Sequence, residues 1–407
     1  MKTLGSIVTY KKGKPPKTGP HGRLPVLSPH YLRTGQIEDM AEPTSKDVVL
    51  KGGELILLWD GSNAGEFFRA RAGVLSSTMV AFEFDEEVTN PDYLYYDLKR
   101  FEPELKGRTA GSGIPHVDKE VLLARRVFEG GPDEQKAAAK VLIKVDHAIK
   151  QTEALLAKQQ RIKAGLMHDL LTLGLDSHDR LRDSSTSQFK PSRVGEIPID
   201  WNPSTVGAEC DEVCVGIVIR PTQYYAEQGP IALRSLNVQG GFFDLSNVVR
   251  IRHEANERLS KSRLRAGDVV TVRTGEPGTS AVVVPELEGA NCIDLVISRP
   301  GRRLRAGFLA LWMNSAFGKK HVFQNQGGLA QQHFNVGAMK LLPIPIPDVT
   351  EQDAIVVRGK AITSAHDELQ ETLVKLRRLK SGLMHDLLTG RVPVTPLLPN
   401  STTLVSP

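Results

Sequence analysis

Two stretches of the chain carry apolar residues in the three-four alternation of a coiled-coil helix. The alternation falls on Val145, Ala148, Thr152, Leu155, Gln159, Ile162 and Leu166 in the first stretch, and on Ile362, Ala365, Leu369, Thr372, Leu376, Leu379 and Leu383 in the second. Both stretches are rich in Ala, Leu, Lys, Gln and Glu, lack internal proline and end at or near a glycine. We therefore predict two long helices that pair with each other along this seam.

The two helical stretches are copies of one element. The octapeptide GLMHDLLT occurs at 165–172 and again at 382–389, an offset of 217. An ungapped alignment at this offset matches 16 of 39 positions from 134 to 172. Such a match does not arise by chance, so the chain contains an internal duplication.

Two segments with short β-like runs, punctuated by glycine and proline, lie before and between the helices. These segments resemble each other at 24–32 and 229–237, at 53–61 and 267–275, and at 111–116 and 328–333. The chain therefore alternates globule, helix, globule, helix. We predict a first globule at 1–130, a helix at 131–172, a polar linker at 173–192, a second globule at 193–347, a second helix at 348–390 and a flexible tail at 391–407.

Several motifs stand at fixed places in this layout: GLMHDLLT closing each helix, WDGSNAG at 59–65, GSGIPHV at 111–117 and LLPIPIPDVTEQ at 341–352. Together they resemble the specificity subunit of type I restriction-modification systems over nearly the full chain. The resemblance implies an α+β fold with an internal pseudo-twofold repeat. Two mixed α/β target-recognition domains, each reading one half of a split DNA site, would be separated by two long antiparallel coiled-coil helices.

One tract departs from the pattern. RVFEGGPDEQ at 126–135 stands where the second copy has its apolar, proline-rich approach to the helix. Because these two approaches differ in sequence, we do not expect the start of the first helix to pack in the same way as the start of the second.

The resemblance also implies partners. Two methyltransferase subunits would dock on the repeated helix ends, and restriction or translocase subunits would join the complex. The residues predicted to form this subunit interface are Leu166, Met167, His168, Leu170, Leu171, Leu383, Met384, His385, Leu387 and Leu388. The two His-Asp pairs among them invite a catalytic interpretation, but a position near a helix C-terminus favours a structural or interface role.

Catalytic motifs are missing from the sequence. It has no Asn-Pro-Pro-aromatic tract for methylating a flipped base, no glycine-rich phosphate loop and no Rossmann fingerprint. We therefore expect no catalysis and no cofactor on this chain, with S-adenosylmethionine, ATP and Mg on partner subunits. Cys210 and Cys214 lack the second Cys or Cys/His pair that a zinc site needs, so no metal is expected.

Composition fits a protein of two or three domains that stays in the cytoplasm. The 407 residues are 40% hydrophobic and 24% charged, and no run approaches the roughly 18 apolar residues of a membrane span. Three cysteines, an odd number, suit a reducing compartment. The net charge of +5 is too small to identify a nucleic-acid binder, although residues 1–37 carry seven basic side chains and no acidic one.

Candidate DNA-reading residues are those with paired donors and acceptors. The glycine-led tract 327–335 offers Gln331, Gln332 and His333, and its counterpart in the first globule offers Ser112 and His116. In the alternative interpretation the two histidines cap the following helix and the glycines serve only the turn. Further candidates for base or phosphate contacts are Arg69, Arg71, Arg220, Arg234 and Arg273.

Other functions remain open on sequence alone. A duplicated scaffold could bind two proteins without reading DNA. A loose metal-nuclease pattern begins at Pro91-Asp92 and continues with Glu104 and Lys106, but the run between them looks helical and not like the strand that presents such carboxylates. Trp59 and Trp312 stand in apolar runs and are predicted to be core residues.

Overall fold

The computed structural model describes residues 2–108, 114–127, 130–324 and 334–394. The chain divides into two compact units, Met1–Ala154 with Gln370–Pro407, and Leu155–Leu369. Both divisions fall inside the long helices. Each unit therefore contains one globule and a part of each helix.

The first unit holds short strands and four helices ahead of its long helix. Its elements are β1 (Lys2–Thr3), α1 (Leu4–Ile7), β2 (Val8–Lys12), β3 (Leu24–Leu27), α2 (Pro29–Thr34), β4 (Met40–Ala41), β5 (Val49–Leu50), β6 (Leu55–Leu58), β7 (Phe67–Arg69), β8 (Gly73–Leu75), β9 (Met79–Phe84), α3 (Pro91–Lys106), α4 (Lys119–Leu123) and β10 (Arg126–Val127). The first long helix, α5 (Pro132–Thr172), follows.

The second globule is larger. Its elements are β11 (Phe189–Ser192), β12 (Gly195–Pro198), β13 (Asn202–Thr205), α6 (Val206–Glu209), β14 (Cys210–Val215), β15 (Tyr225–Leu233), β16 (Val249–Ile251), α7 (His253–Arg258), β17 (Val269–Val272), β18 (Ser280–Val282), β19 (Asn291–Cys292), β20 (Leu295–Pro300), α8 (Ala306–Asn314), α9 (Ala316–Gln324), α10 (Val336–Leu341) and β21 (Pro343–Ile346). Short 3-10 turns lie at Pro221–Tyr224, Ser235–Asn237, Ser260–Ser262 and Pro285–Leu287. The second long helix is α11 (Val349–Leu388).

The main sheet has the same strand order in both globules. A four-stranded antiparallel sheet has the order β2-β9-β6-β7 in the first and β14-β20-β17-β18 in the second. A second sheet contains a parallel pair in each globule, β3 with β8 and β15 with β19. The predicted alignments of 24–32 with 229–237 and of 53–61 with 267–275 fall on these equivalent strands. The α+β prediction with an internal repeat is confirmed.

The segment before the first long helix differs in sequence from the segment before the second, but both contain a strand that forms the same antiparallel pair. Thr3 pairs with Arg126 on β1 and β10, as Thr205 pairs with Pro343 on β13 and β21. Arg126 and Pro343 are separated by the helix offset of 217. The backbone pairing thus fixes the start of the helix although the side chains differ.

In the first unit the long helices pair in antiparallel fashion. The Asp146 carboxylate binds Lys380 Nζ at 2.6 Å, and the Glu153 carboxylate binds Arg377 Nη2 at 2.8 Å. The partner number falls as the first number rises, which gives the direction. Apolar residues of both helices, such as Leu142 and Leu388, share one core with the globule.

In the second unit the segment that follows α5 meets the start of α11 around Glu351, whose side chain is largely shielded from water. Glu351 binds Arg182 Nη1 at 2.5 Å, accepts the Trp201 indole N–H at 3.0 Å and accepts the Leu175 amide at 2.7 Å. Leu175 and Trp201 are buried in the same core as Leu171. This part of the segment predicted as a linker is therefore anchored against the start of α11.

The seam of the long helices follows the prediction at most of its positions, and Ala148 and Gln159, for example, are half-buried as expected. At two places in each helix the buried position is displaced by one residue. Leu155 is 49% exposed while its neighbour Leu156 is half-buried, and Leu379 is 50% exposed while Lys380 is half-buried. In these stretches the helices bury a four-three row where the sequence indicated a three-four row.

Candidate nucleic-acid interface

In the second globule a shallow cleft of about 520 Å³ gathers predicted residues. Arg273 follows strand β17, its Nε donates to the Phe334 carbonyl at 3.1 Å, and its guanidinium is ion-paired with Asp294. Val218 and Asn335 also line this cleft. The end of the predicted tract 327–335 thus lies beside Arg273.

The first globule builds the same framework around Trp59. The Val117 amide donates to the Trp59 carbonyl at 3.0 Å, as the Phe334 amide donates to the Arg273 carbonyl at 3.2 Å. The exposed His116 forms a β-bridge with Asp60. The predicted residue His116 therefore lies at this framework position and does not cap a helix, since Asp118 is the N-cap of α4.

The two frameworks present different chemistry. Trp59, stacked on Tyr10 with ring centroids 5.2 Å apart, stands where the second globule has Arg273. The neighbouring Asp60 binds Lys12 at 2.8 Å, whereas Arg273 is itself paired with Asp294. The same backbone framework therefore carries an indole ring in one globule and a guanidinium in the other. The sequence predicts both Trp59 and Trp312 as core residues. Trp312 is fully buried as predicted, whereas Trp59 is only half-buried.

The other predicted arginines lie elsewhere. Arg69 binds Asp92 at 2.5 Å and stacks over the Tyr95 ring at 5.0 Å, so its charge is compensated. Arg71 is exposed over the ring of Tyr31 at 5.2 Å.

Two further predicted arginines in the second globule also lack an acidic partner. Arg234 donates to the backbone and side chain of Asn247, both at 3.1 Å, and Arg220 is exposed two residues beyond Val218. Among the described residues Arg71, Arg220 and Arg234 form no ion pair, so they keep an uncompensated charge.

Sequence reasoning missed two arginines. Arg250 Nη1 donates to the Gly229 carbonyl and Arg252 Nη2 to the Gln223 carbonyl, both at 2.8 Å. They flank the buried Ile251 at the end of β16. Arg250 lies on β16 and Arg252 directly follows it, so two exposed arginines on either side of an apolar residue, Arg-Ile-Arg, were the signal that could have found them. Four predicted residues, Ser112, Gln331, Gln332 and His333, lie outside the described part of the chain.

The repeated helix ends are largely turned into the chain's own cores. Buried in the two cores are Leu170, Leu171, Leu387 and Leu388. Half-buried against them are Leu166, Met167, Leu383 and Met384. Of the ten predicted interface residues, only His168 and His385 are exposed, and His168 stacks on Phe317 at 5.1 Å. Docking of a partner at these ends stays a prediction.

The described residues show no group of three or more His, Cys, Asp or Glu arranged to hold a metal. The carboxylates of the nuclease pattern lie on helix α3, as the helical interpretation predicted, where Asp92 binds Arg69 and Glu104 binds Arg108. All three cysteines are free thiols. No helix in the described ranges is long and apolar enough to cross a membrane.

A duplicated α+β globule, each copy followed by a long helix and each presenting different side chains on one framework, defines a two-domain recognition protein. Residues 1–159 match the family model of the type I restriction modification DNA specificity domain. The resemblance predicted from the sequence, to the specificity subunits of type I restriction-modification systems, is confirmed.

Relatives are similar along most of the chain. The type I restriction enzyme MjaVIII specificity subunit of Methanocaldococcus jannaschii is 29% identical over 401 residues, covering 96% of this chain and 92% of its own length. The EcoBI specificity subunit of Escherichia coli is 20% identical over 352 residues, covering 83% and 73%.

Solved structures share the fold. The S subunit of a type I restriction-modification system from M. genitalium is 13% identical with a TM-score of 0.59, covering 95% of each chain. A second similar chain comes from a structural study of complex assembly and conformational transition in the type I R-M system. It is 15% identical with a TM-score of 0.56, and the match covers 96% of this chain and 100% of that chain.

Proposed function

We propose that this chain is the DNA sequence-recognition subunit of a type I restriction-modification complex, and that each globule reads one half of a bipartite double-stranded site. The supporting observation is the shared framework with exchanged side chains at Trp59 and Arg273. Modules that read different half-sites must preserve the scaffold and change the contacts, because bases are distinguished by the donors and acceptors they meet. The chain is a non-catalytic subunit of a methyltransferase and endonuclease complex.

The long helices have a second role in this proposal. A rigid helical pair fixes the gap between two half-sites better than a flexible linker does. The duplicated helix ends offer one docking place per copy, so two methyltransferase subunits bind in a pseudo-twofold arrangement. His168 and His385 are the exposed members of the predicted docking residues. S-adenosylmethionine, ATP and Mg act on the partner subunits, restriction subunits complete the assembly, and the complex works in the cytoplasm.

Exchange of one globule tests the division of labour. Methylated positions in the genome of the source cell give the two half-sites. Replacing residues 193–347 with the equivalent segment of a relative should then change one half of the methylated sequence and leave the other half and the gap unchanged.

The matched control replaces residues 1–130 and should change the opposite half. A complex that methylates without sequence preference would show instead that the chain is a protein-binding scaffold. A change of both halves after a single exchange would show that the globules do not read DNA separately.

A further inference from the structure

A loop of the second globule, residues 216–220, holds two apolar side chains in solvent. Val218 is 47% exposed and Ile219 is 73% exposed. The loop cannot fold back to bury them because both of its ends are fixed. The buried Ile217 donates its amide to the Cys292 carbonyl at 2.8 Å, and the Gln223 amide donates to the Arg220 carbonyl at 3.1 Å. Adjacent β-branched side chains held out by a fixed backbone are unfavourable in water until a partner covers them.

The backbone of this loop is also strained. Arg220 has φ 42° and ψ 57°, in the left-handed region that non-glycine residues rarely occupy. The following Pro221 adds a restriction, because a proline ring drives the preceding residue towards extended conformations. Strain of this kind persists where the surrounding structure imposes it, and it gathers at binding sites.

Two arginines flank Ile251, which packs in one core cluster with Ile217 of the loop. Arg250 and Arg252 are held by backbone carbonyls and, like Arg220, form no ion pair within the described ranges. The nearby carboxylate of Asp294, whose amide donates to the Ile217 carbonyl at 3.1 Å, is already paired with Arg273. A guanidinium has five N–H donors, so a single carbonyl leaves each group able to bind an anion.

An exposed apolar tip beside uncompensated arginines fits duplex DNA, because its phosphates can bind the arginines and its stacked base faces can cover the apolar tip. We propose that the 216–220 loop inserts Ile219 between two base pairs of the half-site read by the second globule, while Arg220, Arg250 and Arg252 bind the adjacent phosphates. Apolar wedges of this type unstack a base step and kink the duplex. This inference rests on the proposed function and adds to it a site of DNA deformation.

Fluorescence of 2-aminopurine tests the insertion, because this base brightens when it is unstacked. The assembled complex with its methyltransferase subunits is added to duplexes that carry 2-aminopurine at successive positions of the mapped site. We expect a several-fold rise at one step of one half-site. Ile219→Ala should abolish the fluorescence rise and weaken DNA binding about tenfold. Ile219→Leu should retain the fluorescence rise and the wild-type affinity.

The matched control is Leu341→Ala, because Leu341 is also 73% exposed in the second globule. It should leave fluorescence and affinity unchanged. Arg250→Gln and Arg252→Gln should each reduce the slope of log affinity against log salt by about one while retaining the fluorescence rise.

The outcomes separate this inference from the proposed function. Normal fluorescence and affinity for Ile219→Ala would overturn the wedge and leave DNA recognition intact. Loss of methyltransferase binding by Ile219→Ala, with DNA affinity of the free chain unchanged, would overturn it in favour of a protein-docking loop. A wild-type complex without sequence preference would overturn the proposed function itself.

Discussion

Gln135 and Gln352 make equivalent hydrogen bonds at the starts of the two long helices. Each side-chain oxygen accepts an amide at 2.8 Å from the N-cap residue of a globular helix, Asn90 in the first globule and Arg305 in the second. Each side-chain nitrogen donates to the carbonyl five residues before it, at 2.9 and 3.0 Å. Both glutamines are buried. The repeat is therefore preserved at the level of individual hydrogen bonds.

Replacement of either glutamine by alanine should destabilise the protein by about 1–3 kcal/mol. The reason is that an amide and a carbonyl that are at least partly shielded from water lose their partners. Chemical denaturation of Gln135→Ala, Gln352→Ala and the double variant measures the effect. The two losses should add, because the glutamines share no hydrogen-bond partner. A neutral effect at both positions would show that these bonds are dispensable.

Removal of Glu351 should cost more than removal of its neighbour Asp200. Glu351→Ala leaves Arg182 and the Trp201 indole without their shared acceptor in a site that is largely shielded from water, so we expect a loss of about 3 kcal/mol. Asp200→Ala is the control, because it breaks an exposed pair with the same arginine and should cost less than about 1 kcal/mol. Urea unfolding compares them, and equal losses would contradict the assignment.

The three cysteine thiols should resist Ellman's reagent in the folded protein. Burial raises the pKa of the Cys210 thiol to about 12, and it also raises the pKa values of Cys214 and Cys292. A raised pKa keeps the thiol protonated at pH 8, whereas the thiolate is the reacting form. We expect at least a hundredfold slower reaction than in denaturant, where three equivalents should react. A rapid first equivalent from the folded protein would argue against this.

Lengthening both helices should change the gap between half-sites and not their sequences. Insertion of seven residues after Leu155 and after Thr372 preserves the seam, because seven residues are close to two full turns, and adds about 10 Å. At about 3.4 Å per base pair the unread gap should grow by about three pairs. Four-residue insertions add about 6 Å and rotate the seam, so affinity should fall. Methylation mapping reads the result, and altered half-sites at constant spacing would assign recognition to the helices.

Periodicity predicted the long helices and their pairing but not which side of each seam is buried. Leu155 and Leu156 are chemically identical, so apolar spacing could not choose between them. The choice depends on what lies against the helix. Lys380, for example, is half-buried because it binds Asp146 and lies 5.5 Å from the ring centre of Tyr96. Such contacts arise from the tertiary fold and leave no trace in the local pattern.

The candidate arginines show the same limit. Arginine content indicated a surface for phosphate, yet Arg69 and Arg273 are paired with Asp92 and Asp294, which are distant in sequence. Which of the candidate arginines have an acidic partner can be seen only in the three-dimensional structure. Equivalent strands, in contrast, were predictable, because a duplicated gene segment leaves recognisable traces in glycine-bounded runs such as 53–61 and 267–275.

The core of the first unit joins residues from both extremes of the described chain, since Leu4 lies in one cluster with Leu387 and Val394. The second unit, by contrast, is a continuous segment, Leu155–Leu369. A ribosome therefore releases everything the second unit needs before it releases what the first unit needs. Domains ordinarily fold in the order of their synthesis. Here the first globule cannot complete its core until the segment that contains Leu387 and Val394 has left the ribosome. Its apolar surface stays exposed during that interval, and exposed apolar surface of this kind favours aggregation.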